Sequence, residues 1–295
     1  MSQERNAIDG VATGVMLLLT AAWGFQQVTV KWIAPDVPLV MQAALRSIIA
    51  TVLLVVWARL RGIALFGADG TLRAGIVAGL LFAGEFVFIY GGLAHTNASR
   101  MSVFIYLTPP LTALGLHFFV RSERLRPRQW AGVLLAFGGI VVAFAEGFGS
   151  GIGTWRGDLC GMLAAVLWAS TIIVIRATRL SRTTATKTLF YQLGVSALVL
   201  PLASVLLGEK GITAVTPTVV ASLAYQGVIV AFASYLAWFW LLNRYLAAPL
   251  SVLTFLTPMF GMLSGVLFLS ERISAAFVAA ALAVAAGIVL VNLRR

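Results

Sequence analysis

Hydrophobic positions run through this chain in long stretches, not in the short alternating segments of soluble folds. Each stretch is about 20 residues long, the length of helix that crosses a ~30 Å hydrocarbon core. Short breaks rich in Pro, Gly, Asn or Arg separate them. The pattern predicts an all-α integral membrane protein with about ten transmembrane helices, at residues 11–33, 38–58, 73–93, 99–119, 128–145, 158–176, 186–207, 217–241, 248–269 and 274–292.

The charged residues support this interpretation and give it an orientation. Only 11% of the 295 residues are charged and 60% are hydrophobic, which leaves too little polar surface for a soluble chain. With a cytoplasmic N-terminus, fifteen Lys and Arg residues lie in cytoplasmic segments, five lie outside, and Arg46 lies within a span. This positive-inside bias explains the net charge of +11 without a nucleic-acid partner. It predicts a multi-pass protein with both termini in the cytoplasm.

An internal repeat divides the chain into two halves. The segment SVFIYLTP at 102–109 resembles SVLTFLTP at 251–258, and Ser-Glu-Arg follows each at 122–124 and 270–272. We expect five-helix repeats at 1–146 and 158–295, joined by a Gly-rich linker at 147–157. Because five is odd, the second repeat enters the membrane with the opposite orientation, which predicts a pseudo-two-fold axis in the membrane plane. Two inverted halves can open a central site to either face in turn, which is alternating access.

Several of these landmarks resemble a known family. The Trp23-Gly24 pair, Arg46, the Leu-Thr-Pro segments of spans four and nine, and the Glu123 and Glu271 turns resemble the drug/metabolite transporter superfamily, EamA type, over essentially the whole chain. Within it the chain is similar to bacterial amino-acid and metabolite exporters, including the YddG-type exporters of aromatic amino acids. The resemblance implies a cavity lined mainly by spans 1, 3, 4, 6, 8 and 9, and export across the bacterial inner membrane. The chain departs from the duplicated pattern at Arg46, whose counterpart lies near Gln192.

Two prolines, Pro109 and Pro258, occupy matching places in spans four and nine. A proline in a helix interior removes one backbone hydrogen bond and clashes with the preceding turn. A membrane tolerates the freed carbonyl where protein or a water-filled cavity satisfies it. Because both halves carry the proline, we favour a hinge and cavity wall over a packing kink.

Glu85 and Arg46 are the charged residues placed well inside spans. Each lies about eight residues from the outer end of its span, or roughly 12 Å below the outer surface at ~1.5 Å per residue. Equal depth permits a charge pair between them, which would avoid leaving either charge alone in a low dielectric. The alternative is functional: Glu85 meets a substrate ammonium or a proton.

Aromatic and uncharged polar side chains supply the remaining candidates for a substrate site. Tyr90, Trp240 and Tyr245 lie near span ends and are expected to be interfacial anchors. A mid-span Trp needs a partner for its N–H, which a polar cavity provides, although ordinary helix packing is the alternative. The polar groups could bind a zwitterion or simply bond between helices. The predicted substrate-binding residues are Trp23, Gln27, Glu85, Tyr106, Trp168, Ser234, Tyr235, Trp238 and Thr254.

These observations predict a monomeric secondary transporter that exports a small organic solute, with amino acids favoured and aromatic ones first. Export of drugs or other metabolites is the alternative, and either proton exchange or the solute gradient could drive it. An intramembrane enzyme is disfavoured, since the sequence has no H-E-x-x-H, no G-x-S-x-G and no pair of membrane-embedded carboxylates. Two His and one Cys offer little for a metal, so no metal or cofactor is expected. A channel could share the repeat but would show far larger fluxes.

Overall fold

The computed structural model describes residues 6–67, 69–96, 98–145, 148, 155–269 and 275–292, and within these ranges the chain is helical without a β-sheet. Helices four and nine are each split into two segments, and Tyr225–Ser234 of helix eight is π-helical. The helices are α1 (Gly10–Ile33), α2 (Leu39–Leu60), α3 (Leu72–Leu93), α4a (Ala98–Ile105), α4b (Thr108–Phe119), α5 (Pro127–Ala143), α6 (Trp155–Ala177), α7 (Ala185–Leu206), α8 (Pro217–Arg244), α9a (Ala247–Leu253), α9b (Leu256–Leu269) and α10 (Ala275–Asn292).

The prediction of an all-α membrane protein is confirmed. Among the described residues, eight helical stretches have the length and apolar composition to cross a bilayer, with α4a–α4b and α9a–α9b each counted as one. Two further apolar helices, Pro127–Ala143 and Val278–Asn292, are shorter and complete the set of ten. Most of the predicted linker at 147–157 and the Glu271 turn lie outside the described residues, and α6 already begins at Trp155.

The helix contacts follow the symmetry expected of an inverted repeat. α1 packs against α9b, and its counterpart α6 packs against α4a and α4b. α3 packs against α6 as α8 packs against α1, and α7 against α3 as α2 against α8. The remaining pairs, α2 with α7 and α5 with α10, are their own counterparts. Exchanging each helix with the one five positions later therefore reproduces the packing, as a pseudo-two-fold axis requires.

Small residues allow these helices to approach closely. A Cβ at Gly24 of α1 would lie 2.6 Å from the backbone nitrogen of Gly261, and a Cβ at Gly161 of α6 would lie 2.7 Å from the Phe104 Cβ. Each contact joins a helix of one half to a helix of the other. In lipid, helices associate through van der Waals packing, because the lipid tails are as apolar as the helices. The glycines therefore set the distance between the halves.

Acidic residues in two loops tie the halves together at opposite ends of the bundle. Glu209, after α7, accepts hydrogen bonds from the backbone N–H groups of Val40 and Met41 at the start of α2, both at 2.9 Å. Asp69, after α2, accepts a hydrogen bond from Lys187 in the first turn of α7 at 2.7 Å. The Lys187 ammonium, followed by the hydroxyl and N–H of Thr71, holds the pKa of Asp69 well below its usual range. Both carboxylates are favourably placed near a helix N-terminus.

Helices four and nine are each interrupted before the predicted hinge proline, not at it. α4a ends at Ile105 and α9a ends at Leu253, so Pro109 and Pro258 fall in the first turn of α4b and α9b. In a first turn a proline gives up no intrahelical hydrogen bond, because the N–H there has no partner in the helix. The two breaks pack on one another, with the rings of Tyr106 and Phe255 6.1 Å apart. A discontinuity therefore exists in both halves at the centre of the fold.

Candidate transport cavity

A cavity of about 400 Å³ lies between the two halves. It reaches the surface along one face of α1, where Gln27, Lys31 and Ala34 line it and are exposed. We call this the open end. Its opposite limit is formed by Ile175 and Phe239, which are buried. The cavity is therefore open toward one end of the helix bundle and is closed at the other.

Most of the predicted substrate-binding residues line this cavity. They are Trp23, Gln27, Glu85, Tyr106, Trp168, Tyr235 and Trp238. The other two do not line it, because their hydroxyls are used within the protein. Ser234 accepts a hydrogen bond from the Trp23 indole N–H at 2.7 Å and donates to the Val230 carbonyl. Thr254 donates to the Ser251 carbonyl at 2.6 Å, beside the break before α9b.

Aromatic rings form much of the cavity wall. The Trp23 ring meets Tyr235 and Trp238 edge to face, with centroids 6.1 and 5.9 Å apart. Phe86 stacks on Tyr90 at 6.0 Å, and both line the cavity. The expectation that Tyr90 is an interfacial anchor is therefore wrong: its side chain lies on the cavity face of α3, one helical turn after Phe86. Tyr245 is not such an anchor either, because it is buried and donates a hydrogen bond to Asp9.

The two predicted membrane charges, Arg46 and Glu85, both line the cavity and are almost completely buried. The Arg46 guanidinium lies over the Phe86 ring, 4.3 Å from its centroid, and Tyr235, Tyr90 and Glu85 surround it. Arg46 and Glu85 do not form an ion pair in the described part of the structure, because no nitrogen of Arg46 lies within 4.0 Å of a Glu85 oxygen. One carboxylate oxygen of Glu85 has no hydrogen-bond partner. The charges share a cavity without touching.

Gln192 belongs to the cavity wall but was absent from the predicted substrate-binding set. It is fully buried, and neither its amide oxygen nor its amide nitrogen has a hydrogen-bond partner. It is the eighth residue of α7, and Arg46 is the eighth residue of α2. The repeat relates these two positions. That relation was the signal that could have placed Gln192 in the site.

A buried ion pair lies at the end of the bundle opposite the opening, next to the buried limit of the cavity at Ile175. Arg176, at the end of α6, donates to the Glu123 carboxylate and to the Leu242 carbonyl, the latter at 2.6 Å. The second Glu123 oxygen accepts from the N–H of Ala247 at the start of α9a, at 2.9 Å. We call these contacts the latch and this end the closed end. The Ser-Glu-Arg repeat had marked Glu123 in the sequence, but nothing there assigned it a partner.

The arrangement suits binding of a solute better than chemistry. Within the described residues, no three His, Cys, Asp or Glu side chains are grouped so as to hold a metal ion. The cavity instead offers two cations, Lys31 and Arg46, one carboxylate, Glu85, and uncharged amides and aromatic rings. Such a set can hold a small amphipathic solute by charge and stacking.

Several known proteins resemble this chain in sequence over most of its length. The chain is 25% identical over 279 residues to a probable amino-acid metabolite efflux pump of Salmonella typhimurium, a match that covers 92% of this chain and 91% of that protein. It is 24% identical over 276 residues to a protein of the same description in Escherichia coli, covering 90% and 88%. An uncharacterized transporter of Archaeoglobus fulgidus is 28% identical over 238 residues, covering 77% and 78%.

A solved structure and a family pattern agree with these relatives. One crystal structure superimposes on the chain with a TM-score of 0.81 at 23% identity, covering 96% of this chain and 98% of that one, so the fold is shared. The pattern of the EamA-like transporter family matches twice, at residues 12–145 and 155–293. Proteins of this family are transporters and not enzymes. The chain is a multi-pass membrane protein of two similar halves, and it belongs to the EamA-like transporter family.

Proposed function

We propose that this transporter exports amino acids, with aromatic ones favoured, from the bacterial cytoplasm across the inner membrane by alternating access. Two relatives carry the description of probable amino-acid metabolite efflux pump. The observation that carries the proposal is a cavity in which an arginine and a glutamate, Arg46 and Glu85, face the same space without direct contact, beside an aromatic wall. The chain acts as a monomer in this proposal, because its close-packed glycines are used between its own helices.

The chemistry of the cavity fits an aromatic amino acid. Glu85 is an acceptor for the substrate ammonium, since one of its oxygens is unpartnered and the residue lines the cavity. Trp23, Trp168 and Trp238 offer ring faces and edges to an aromatic side chain. A volume of about 400 Å³ is within the range of ligand pockets in proteins. Sugars would gain little from these apolar walls.

Alternating access is supported by the inverted packing of the halves and by the latch. With the positive-inside orientation, the open end faces outward and the latch closes the cytoplasmic end. The inward-open state then requires the Glu123–Arg176 pair to separate and the two halves to exchange their conformations. The breaks before Pro109 and Pro258 are the places where α4 and α9 bend in that exchange. The two termini both lie in the cytoplasm in this arrangement.

Transport in proteoliposomes tests the proposal. Vesicles containing the full-length chain are loaded with radiolabelled tryptophan, and efflux is followed with and without a pH gradient. Trp168→Ala is expected to slow efflux, and Trp155→Ala, which removes an exposed Trp of the same helix outside the cavity wall, serves as the matched control. If proton exchange through Glu85 drives transport, Glu85→Gln abolishes the effect of the gradient. If the solute gradient alone drives it, the pH gradient has no effect.

Competition experiments distinguish export of amino acids from the alternative, export of drugs or other metabolites. An excess of phenylalanine or tyrosine is expected to slow tryptophan efflux, whereas sugars and organic cations are not. If aromatic amino acids neither leave the vesicles nor compete with a solute that does, the proposed substrate class is wrong. The membership of the family would be unaffected by that result.

A further inference from the structure

We propose that Arg46 and Gln192 together form the subsite that binds the substrate's carboxylate. This inference rests on the proposed function, because it assigns one end of a bound amino acid to particular side chains. It gives Arg46 a role different from the charge pair with Glu85 that the sequence suggests.

The first argument is the surroundings of Arg46. Its side chain is 2% exposed and lies on α2, with its guanidinium 4.3 Å from the centroid of the Phe86 ring. A buried guanidinium without a bonded anion is unfavourable, and an anion that reaches it gains a strong, charge-assisted hydrogen bond. Glu85 does not supply that bond, since it forms no ion pair with Arg46 in the part of the chain that the structure describes. A solute carboxylate in the cavity can supply it.

The second argument is Gln192, which is independent of the first. A side-chain amide that is fully buried normally has its hydrogen bonds satisfied, and leaving it unpaired costs about 1–3 kcal/mol. Both polar atoms of Gln192 lack a partner, and the residue lines the same cavity as Arg46. Its amide N–H groups can donate to an anionic oxygen. An unpartnered buried donor in a cavity wall points to a ligand that accepts from it.

The third argument is position. Arg46 and Gln192 are counterparts in the repeat, and their helices α2 and α7 pack directly on one another. They therefore reach the cavity from the two halves, Arg46 nearer its open end and Gln192 nearer its closed end. A carboxylate held between them remains in contact with both halves when the halves exchange conformations. The Glu85 carboxylate on α3 then receives the ammonium, which fixes the direction of the bound amino acid.

The test measures binding of matched ligands to the purified full-length chain. Tryptophan and tryptophanamide share the ring and the ammonium, and they differ in the carboxylate charge. The wild type is expected to bind tryptophan at least about tenfold more tightly than tryptophanamide, since hydrogen bonds to charged groups contribute more than neutral ones. In Arg46→Gln that preference is expected to disappear through weaker binding of tryptophan, with tryptophanamide unchanged.

A second variant keeps the test valid if Arg46→Gln does not fold. Gln192→Glu replaces an amide donor of the cavity wall with an anion that repels the substrate carboxylate, so it is expected to weaken tryptophan binding at least about tenfold while it leaves tryptophanamide binding in place. Equal binding of the two ligands to the wild type, or an unchanged preference in either folded variant, would overturn the subsite. In that case tryptophan efflux still supports the proposed function. If the wild type neither binds nor exports tryptophan, the proposed function fails and the subsite fails with it.

Discussion

The latch makes a quantitative prediction about the closed end of the cavity. Glu123→Ala removes a carboxylate that accepts from Arg176 and from the Ala247 N–H. The Arg176 side chain is 1% exposed, so the substitution removes a carboxylate that contacts a buried cation. Breaking a buried pair in this way costs about 3–5 kcal/mol. Arg176 keeps the carbonyls of Leu242 and Tyr245 as acceptors, which favours the lower end of that range.

A loss of ~3 kcal/mol corresponds to roughly a hundredfold shift of the equilibrium away from the latched arrangement. The assay uses Ile175→Cys, at the inner limit of the cavity, in a Cys160→Ser background. A membrane-impermeant maleimide is applied to inside-out vesicles, which expose the cytoplasmic face. We expect Glu123→Ala to accelerate labelling from that side and to slow it from the outer side.

Two controls separate loss of the latch from general unfolding. Glu123→Gln keeps the shape and one acceptor oxygen, so its effect is expected to be smaller than that of Glu123→Ala. Adding Arg176→Gln to Glu123→Gln removes both members of the pair, and we expect this double variant to lose less thermal stability than the sum of the losses in the two single variants. The reasoning is refuted if Glu123→Ala leaves both labelling and thermal stability unchanged, or if the effects of the two substitutions simply add.

Two further predictions concern packing and pH. Gly24→Ala is expected to lower the thermal unfolding temperature in detergent, because its Cβ would lie 2.6 Å from the Gly261 backbone nitrogen and overpacking costs about 1–3 kcal/mol. Gly138→Ala, where a Cβ meets nothing within 4 Å, should not lower it, and equal losses in both variants would contradict this account. The second prediction is that Asp69 stabilises the fold at neutral pH, since Lys187 lowers its pKa in the folded state. That stability is fully present above the unfolded pKa of about 3.9 and is lost as pH falls through the lower folded pKa, so the advantage of the wild type over Asp69→Asn should shrink below about pH 4 and stay constant at neutral pH.

The sequence by itself determined the architecture. A bilayer requires about 20 apolar residues per crossing, so the helices can be counted directly from the chain. Because a charged or polar group inside such a stretch is expensive, it marks a site by its presence alone. Arg46, Glu85 and Trp23 were found in this way, and all three line the cavity. The repeated Leu-Thr-Pro segments likewise located the two breaks in α4 and α9 to within a few residues.

Only the tertiary structure decided which way each polar side chain points. In a membrane protein the lipid-facing and protein-facing sides of a helix are both apolar, so the periodicity that orients a soluble helix is weak. Sequence alone therefore placed Ser234 and Thr254 in the cavity, although both hydroxyls are used inside the helix bundle. It left out Gln192, which faces the cavity from the opposite half.

The same limit applies to contacts between distant parts of the chain. Glu123 and Arg176 are 53 residues apart, and Trp23 and Ser234 are 211 residues apart. The π-helical segment Tyr225–Ser234 changes the residues per turn within α8, and no local signal in its apolar sequence announces it. Length and apolarity fix that a helix crosses the membrane, whereas its rotation and its partners depend on how all the helices pack at once. For that reason the sequence alone determined the number and the inverted arrangement of the transporter's helices. The packing of the two halves decided where the cavity opens and what closes it.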